Sequence, residues 1–257
     1  MRRKALAGYT LLVLALLYVP IAVMVALSFS ESKYELQGLT LRWYRAVFED
    51  HDLRSSLSNT LILSGASTLV STVLGTVAAL AARDAFRGKR LYTTLVSLPV
   101  MVPDIVLAIA LLALFQAIGM RLSLWTALIA HVTFNLSYVA VVVSARLQSM
   151  DRTTELAAQD LGATPFAAFW KVTFPAILPG ILSGALLAFT LSFDDFVITY
   201  FTTGPDSTTL PVMIYTRIRK EGAAEIRALS TLLMAASVAL IGLSLKISKV
   251  PVQGGGR

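Results

Sequence analysis

No cysteine occurs anywhere in this 257-residue chain. Disulfide frameworks, thiolate metal sites and thiol nucleophiles are therefore excluded, and cysteine usage says nothing about redox compartment. Histidine is nearly as scarce: His51 and His131 are the whole supply, and neither has a metal-ligand neighbour spacing. Charge is thin as well, at 14% of residues against about 25% in an average soluble domain. A Gly-x4-Gly-Lys-Ser/Thr phosphate loop is missing too, since Gly88-Lys89 lacks both the first glycine and the hydroxyl. With no nucleophile–base pair and no metal constellation, no catalytic residue and no metal site is assigned.

What the chain has instead is apolar length. Hydrophobic residues make up 56% of it and the mean hydropathy is +0.73. They gather in runs of about 20, enough to cross roughly 30 Å of hydrocarbon as helix. The runs predict an all-α membrane protein with six spans, near 8–30, 57–82, 92–117, 123–145, 178–202 and 228–246. The formal charge of +7 is a topology signal and not a nucleic-acid footprint. With the N-terminus in the cytoplasm, thirteen Lys/Arg fall inside and nine outside, while four acids fall inside and eight outside. Positive-inside counting thus places both termini in the cytoplasm. Arg2-Arg3-Lys4 before an apolar run is compatible with a signal peptide. The run from Leu11 to Leu27 exceeds the usual h-region, however, and no small-x-small site closes it, so an uncleaved first span is expected.

Between the spans the composition changes sharply. The external segment 31–56 carries Trp43, Tyr44 and Phe48, which suit either an interfacial helix at headgroup level or a packed external loop. Span two has small residues four apart, Ser67, Ser71, Gly75 and Ala79, a row that lets another helix come close. Span three opens with Pro99 and Pro103. Each removes a backbone donor and favours a kink, tolerable in a membrane only where the freed carbonyls face protein or water. A second external stretch, 203–227, joins spans five and six. No internal repeat is evident, and residues 1–257 read as a single six-span transmembrane domain.

The loop at 151–177 has its own grammar. Ala157, Ala158 and Leu161 favour helix, and Gly162 suits a left-handed terminator. Thr164-Pro165 reads as an N-cap followed by proline in the first turn of a second helix. There Phe166, Phe169 and Trp170 share one face, and Pro175 and Pro179 are expected to stop it before span five. An exposed apolar knob of this kind marks a protein interface.

At these residues the chain resembles the membrane subunits of bacterial ABC importers. Their cytoplasmic loop carries Glu-Ala-Ala, three residues, Gly, nine residues, Ile, one residue, Leu-Pro. Here the same spacing reads Leu156-Ala157-Ala158, Gly162, then Val172-Thr173-Phe174-Pro175. The departure is Leu156 in place of Glu; Glu155 sits one residue, or 100° of helix, away. Asn59-Thr60, Leu98 to Pro103, Ser192 to Ile198, Phe201 to Pro205, Leu210-Pro211 and Glu225 to Thr231 are similar to the spermidine/putrescine importer permeases, so that the likeness covers about residues 55–247.

The resemblance implies a type I ABC importer permease (MetI-like) architecture in the bacterial cytoplasmic (inner) membrane, multi-pass. It implies two ABC ATPase subunits, a second homologous permease forming a heterodimer, and a periplasmic or lipid-anchored substrate-binding protein. The loop would dock on the ATPase through Leu156, Ala157, Ala158, Gly162, Phe166, Phe169, Trp170 and Pro175. ATP and Mg would be held by the ATPase, with no cofactor bound by this chain and no enzyme activity of its own.

Three acids fall within predicted spans: Asp104, Asp194 and Asp195. An ionisable group there costs about 3 kcal/mol on insertion scales and faces a cavity or a partner. Spaced carboxylates beside aromatic faces suit a polyamine, because ring quadrupoles attract ammonium groups. Asp104, Asp194, Asp195 and Tyr200 are therefore candidate pathway residues. Adjacent helical residues diverge by 100°, so Asp194 and Asp195 are not both expected on the path, and one of them is free to bond the kinked backbone or the partner permease. His131 to Asn135 is expected to be a packed polar patch in span four.

The expected function is a polyamine-translocating permease. Other solutes for the same role, such as an aminophosphonate, thiamine, an opine or ferric ion, remain open. A stand-alone proton-coupled secondary transporter is the rival from a different class.

Overall fold

The computed structural model describes residues 2–32, 35–220 and 224–248. Lys33, Glu221 and the residues from Lys249 to the glycine tail, all used in the charge reading above, lie outside them. Every regular element among the described residues is helical: α1 (Arg2–Ser28), α2 (Arg42–Glu49), α3 (His51–Ala81), α4 (Lys89–Met101), α5 (Asp104–Ala117), α6 (Leu124–Ser149), α7 (Thr153–Asp160), α8 (Pro165–Ala168), α9 (Phe174–Asp194), α10 (Val197–Thr202), α11 (Leu210–Lys220) and α12 (Ala224–Ser248).

Four helical stretches are long and apolar enough to cross a membrane: Gly8–Ser28, His51–Ala81, Leu124–Ser149 and Pro165–Asp194. The expected third span, 92–117, is not one helix. It is the pair α4 and α5, bent by 107°, and counts as a fifth crossing only if the two are taken together. Pro103 explains the break: it disfavours helical backbone in the residue before it, and Val102 is accordingly extended, at φ −85°, ψ 134°. The expected sixth span, 228–246, lies on α12, of which most side chains past Ala235 fall outside the described set.

Span five also departs from its expected limits of 178–202. Pro175 and Pro179 do not stop the second loop helix. The chain stays helical from Pro165 to Asp194 because Phe169–Thr173 widens into a π-turn, with the Phe174 amide donating to the Phe169 carbonyl. A π-turn shifts the hydrogen-bond register by one residue, and Pro175, in the first turn of α9, has no amide to satisfy.

The chain divides into two compact units. Residues 1–54 and 214–257 form the first, and 55–213 the second. In the first, α2 is a helix with Trp43 and Val47 buried. Trp43 Nε1 donates to the Ser30 carbonyl at 2.8 Å, and Tyr44 meets Ser28 Oγ at 2.6 Å. Arg217 bonds Asp50 at 2.5 Å and also approaches Glu225 at 3.5 Å. Burial pushes the Asp50 carboxyl up, but the Arg217 guanidinium and the Leu53 amide outweigh it and leave the group below its usual range.

In the second unit α6 and α9 pack along their length around Val139, Val143, Leu147, Ile177 and Ala188. The small-residue row on α3 is buried throughout. A Cβ on Gly75 would come within 2.7 Å of the Leu136 carbonyl and Val139, so only glycine permits this approach of α3 to α6. Thr60 Oγ1 accepts from the Leu210 amide at 2.8 Å, and Asn59 donates to the Thr208 carbonyl at 3.1 Å, closing α3 onto the start of α11.

Candidate functional site

Span five breaks inside the expected membrane region. α9 ends at Asp194, Asp195 turns extended (φ −64°, ψ 126°), and α10 starts two residues later. A break leaves carbonyls unpaired on one side and amides on the other. The amide side is satisfied by Asp195 itself. Its Oδ1 accepts from the Ile198 amide at 3.3 Å and its Oδ2 from the Thr199 amide and Thr199 hydroxyl, both at 2.7 Å.

Around this cap lies a buried polar cluster drawn from four helices. His131 of α6 is 0% exposed. Its Nδ1 meets Ser192 Oγ of α9 at 2.6 Å, and its Nε2 meets Thr199 Oγ1 of α10 at 2.9 Å and Asp195 Oδ2 at 3.5 Å. Ser192 continues to Ser67 Oγ of α3 at 2.9 Å. Within the expected polar patch His131 is hydrogen-bonded on both ring nitrogens, whereas Asn135 is buried with no side-chain hydrogen bond among the described residues; Ser67, Ser192 and Thr199 were not read as partners of His131 in the sequence. Their only signal there is hydroxyl residues in an apolar run, which is too common to select them.

The four pathway candidates separate. Asp195 is turned into the cluster, its side chain 9% exposed. Asp194, one residue earlier, is exposed at the carbonyl end of α9, where the helix dipole adds negative potential to its charge. Tyr200 is half-exposed on α10 and its ring lies 5.4 Å from both Phe196 and Phe201. Asp104 is the exposed first residue of α5, directly after the other break.

The second site is the loop. α7 ends at Gly162, which adopts φ +92°, and Thr164 Oγ1 accepts from the Ala167 amide at 3.2 Å to start α8. Phe166, Phe169, Trp170 and Phe174 form one aromatic string, with Trp170 6.2, 5.3 and 4.8 Å from the other three ring centroids. Phe174 joins because the π-turn carries the helix on; its aromatic role was not legible from spacing. Leu156, Leu161, Phe166 and Trp170 are all exposed, Leu161 at 90%. Glu155 points elsewhere, to an ion pair with Arg83. That guanidinium holds the Glu155 carboxyl below its ordinary value. Arg152 likewise lowers Asp84 through a 2.6 Å bond. Both pairs pin the loop to the residues following α3.

Long apolar helices, a bent third span and a helix break after Asp194 together describe a multi-pass membrane protein. The chain belongs to the family of binding-protein-dependent transport system inner membrane components, whose model matches residues 71–250. It is similar to the putrescine transport system permease protein PotI of Escherichia coli K12, 39% identical over 92% of this chain and 86% of the relative. It is also similar to the spermidine/putrescine permease protein PotC of the same organism, at 35% over 96% and 95%, and to PotC of Haemophilus influenzae, at 36% over 94% and 95%. Among solved structures, a bacterial ABC transporter importing alginate superposes with a TM-score of 0.73 at 17% identity, covering 98% of each chain. The inward-facing methionine transporter MetNI gives 0.63 at 18%, over 76% of this chain and 95% of that one.

Proposed function

We propose that this chain is a permease subunit of an ATP-driven importer and translocates polyamines, putrescine or spermidine, across the bacterial cytoplasmic membrane. The observation that carries the reading is the near end-to-end likeness to PotI and PotC. The chemistry of the fifth-span break agrees with it. A carboxylate at a helix carbonyl end, with Phe193, Phe196, Tyr200 and Phe201 nearby in sequence, is a favourable surface for a flexible polycation. We assign Asp194 to the path, with Asp104 as a second stepping point and Tyr200 as an aromatic face. Asp195 we assign to capping α10.

In this reading six spans place both termini in the cytoplasm. The partners are a second homologous permease, two ATPase subunits that bind and hydrolyse MgATP, and a periplasmic or lipid-anchored binding protein. The loop 151–177 docks on an ATPase through Leu156, Ala157, Ala158, Gly162 and the aromatic string, with no charge at position 156. ATP-driven closure of the ATPase pair pushes the loops and rocks the broken spans, alternating access to Asp194 and Asp104.

The test is uptake of radiolabelled putrescine and spermidine by cells stripped of other polyamine importers and supplied with the complete complex. Uptake with co-purification of an ATPase is expected. Trp170→Asp is expected to abolish uptake while leaving membrane insertion intact. No uptake of either polyamine by an assembled complex contradicts the substrate, and full uptake by Trp170→Asp contradicts the docking role.

A further inference from the structure

His131 is a fully buried imidazole that the proposed function leaves unused, and the direction of the hydrogen bonds on its Thr199 side can be worked out. Asp195 is an acceptor, since it takes the Ile198 and Thr199 amides. The single hydroxyl proton of Thr199 goes to Asp195 Oδ2 at 2.7 Å. Thr199 Oγ1 therefore offers only lone pairs to the ring, and His131 Nε2, 2.9 Å away, must be the protonated nitrogen.

The other side of the ring is adaptable. With a neutral imidazole, Ser67 donates to Ser192 and Ser192 to Nδ1. With an imidazolium, Nδ1 donates to Ser192, Ser192 to Ser67, and Ser67 to the Ser64 carbonyl at 3.2 Å. Either ring state finds all its partners by hydroxyl rotation alone. The groups facing the ring are Phe134 from α6 itself, Ser192 from α9, Thr199 from α10, and Asp195 at the break, the charged member, with Ser67 from α3 one hydrogen bond further out, on Ser192.

We propose that His131 is the positioning residue of the α9–α10 break. By joining Ser192 on one side of the break to Thr199 and Asp195 on the other, it holds Asp194 at the carbonyl end of α9, where a translocating polyamine meets it. The proposal rests on the polyamine reading above for its transport consequence, and on the hydrogen-bond geometry alone for its structural one. Without the ring, Thr199 and Ser192 lose their shared partner in a buried setting, and the two half-helices are free to change their angle.

The test uses the full complex with three arms. First, His131→Phe is expected to lower the maximal rate of putrescine uptake about tenfold, since small misplacements of a working group cost factors of this size. The half-saturating concentration and the amount of assembled complex are expected to stay within about twofold. Second, His131→Gln, which keeps a donor and an acceptor, is expected to recover at least about a third of the rate. Third, because the chain has no native cysteine, label found on this chain after treatment of the complex with a cationic thiosulfonate reports on Asp194→Cys alone. Its reaction rate is expected to change about fivefold when His131→Phe is added.

Unchanged uptake in His131→Phe overturns the proposal. So does lost uptake with unchanged labelling, or a glutamine variant no better than phenylalanine. If His131→Phe fails to assemble, Thr199→Val, which deletes the middle hydroxyl at constant shape, carries the same expectations. Absence of putrescine uptake in the wild-type complex refutes the substrate reading instead, and the labelling arm then still decides the positioning claim.

Discussion

Two breaks interrupt the apolar helices of the second unit, and they are held open by opposite means. At Val102–Pro103 the cause is covalent: a proline that cannot donate and that pushes its predecessor into extended backbone. At Asp195–Phe196 there is no proline or glycine. That break exists because Asp195 caps the next helix and because His131, Ser192 and Thr199 make the capped geometry the satisfied one. A proline break depends little on its surroundings. A polar break depends on two other helices, α3 and α6, and its geometry can be altered by altering either of them.

The largest expected difference between the breaks is in stability. Asp195→Ala removes a cap and the acceptor of a buried hydroxyl, and is expected to cost about 3 kcal/mol. Asp194→Ala, exposed one residue earlier, is expected to cost less than about 0.5 kcal/mol. Thermal melting of the detergent-purified complex checks both, and equal losses would break the distinction between the two acids. At the proline break, Pro103→Ala is expected to change stability by less than about 1 kcal/mol, because the substitution acts mainly through backbone freedom. A loss as large as that of Asp195→Ala would mean that the third-span break is also held from outside.

The smallest effect is in the loop, where the part-buried Arg83–Glu155 pair pins α7 to the residues following α3. The lowered Glu155 carboxyl means that its contribution is complete above the ordinary value of 4.5. It is lost as pH falls through the lower, folded value. Hydrogen exchange of α7 is therefore expected to be flat between pH 6 and 8, apart from the intrinsic rate, and to loosen only in acid. Loosening near neutrality would contradict the pairing.

The same contrast explains what could be read from the sequence. Pro103, the small row Ser67 to Ala79, the Gly162 turn and the Thr164-Pro165 helix start are local devices, visible at their own positions. The angle at Pro103 was not, since proline licenses a kink without setting its size. A kink in the fifth span was expected, but its place was not legible, because its causes lie at residues 67, 131 and 199 as much as at 195. Pro175 misled for the converse reason: a proline stops a helix unless the register shifts, and the π-turn at Phe169–Thr173 shifts it. Of the pathway candidates, Asp194 and Asp195 were expected to diverge as neighbours on one continuous helix; they do differ in exposure, but Asp195 lies past the helix end in extended backbone, so the break separates them. Which of them faces inward required His131.

The central claim is that Asp194 is the working carboxylate of the break and Asp195 its support. The most direct measurement is putrescine uptake by an assembled complex carrying Asp194→Asn. A charge-neutral, shape-matched change is expected to lower uptake about tenfold, in line with the loss of one close charge contact, while the melting temperature stays unchanged. Uptake at the wild-type rate, with the variant complex fully assembled, would contradict the account.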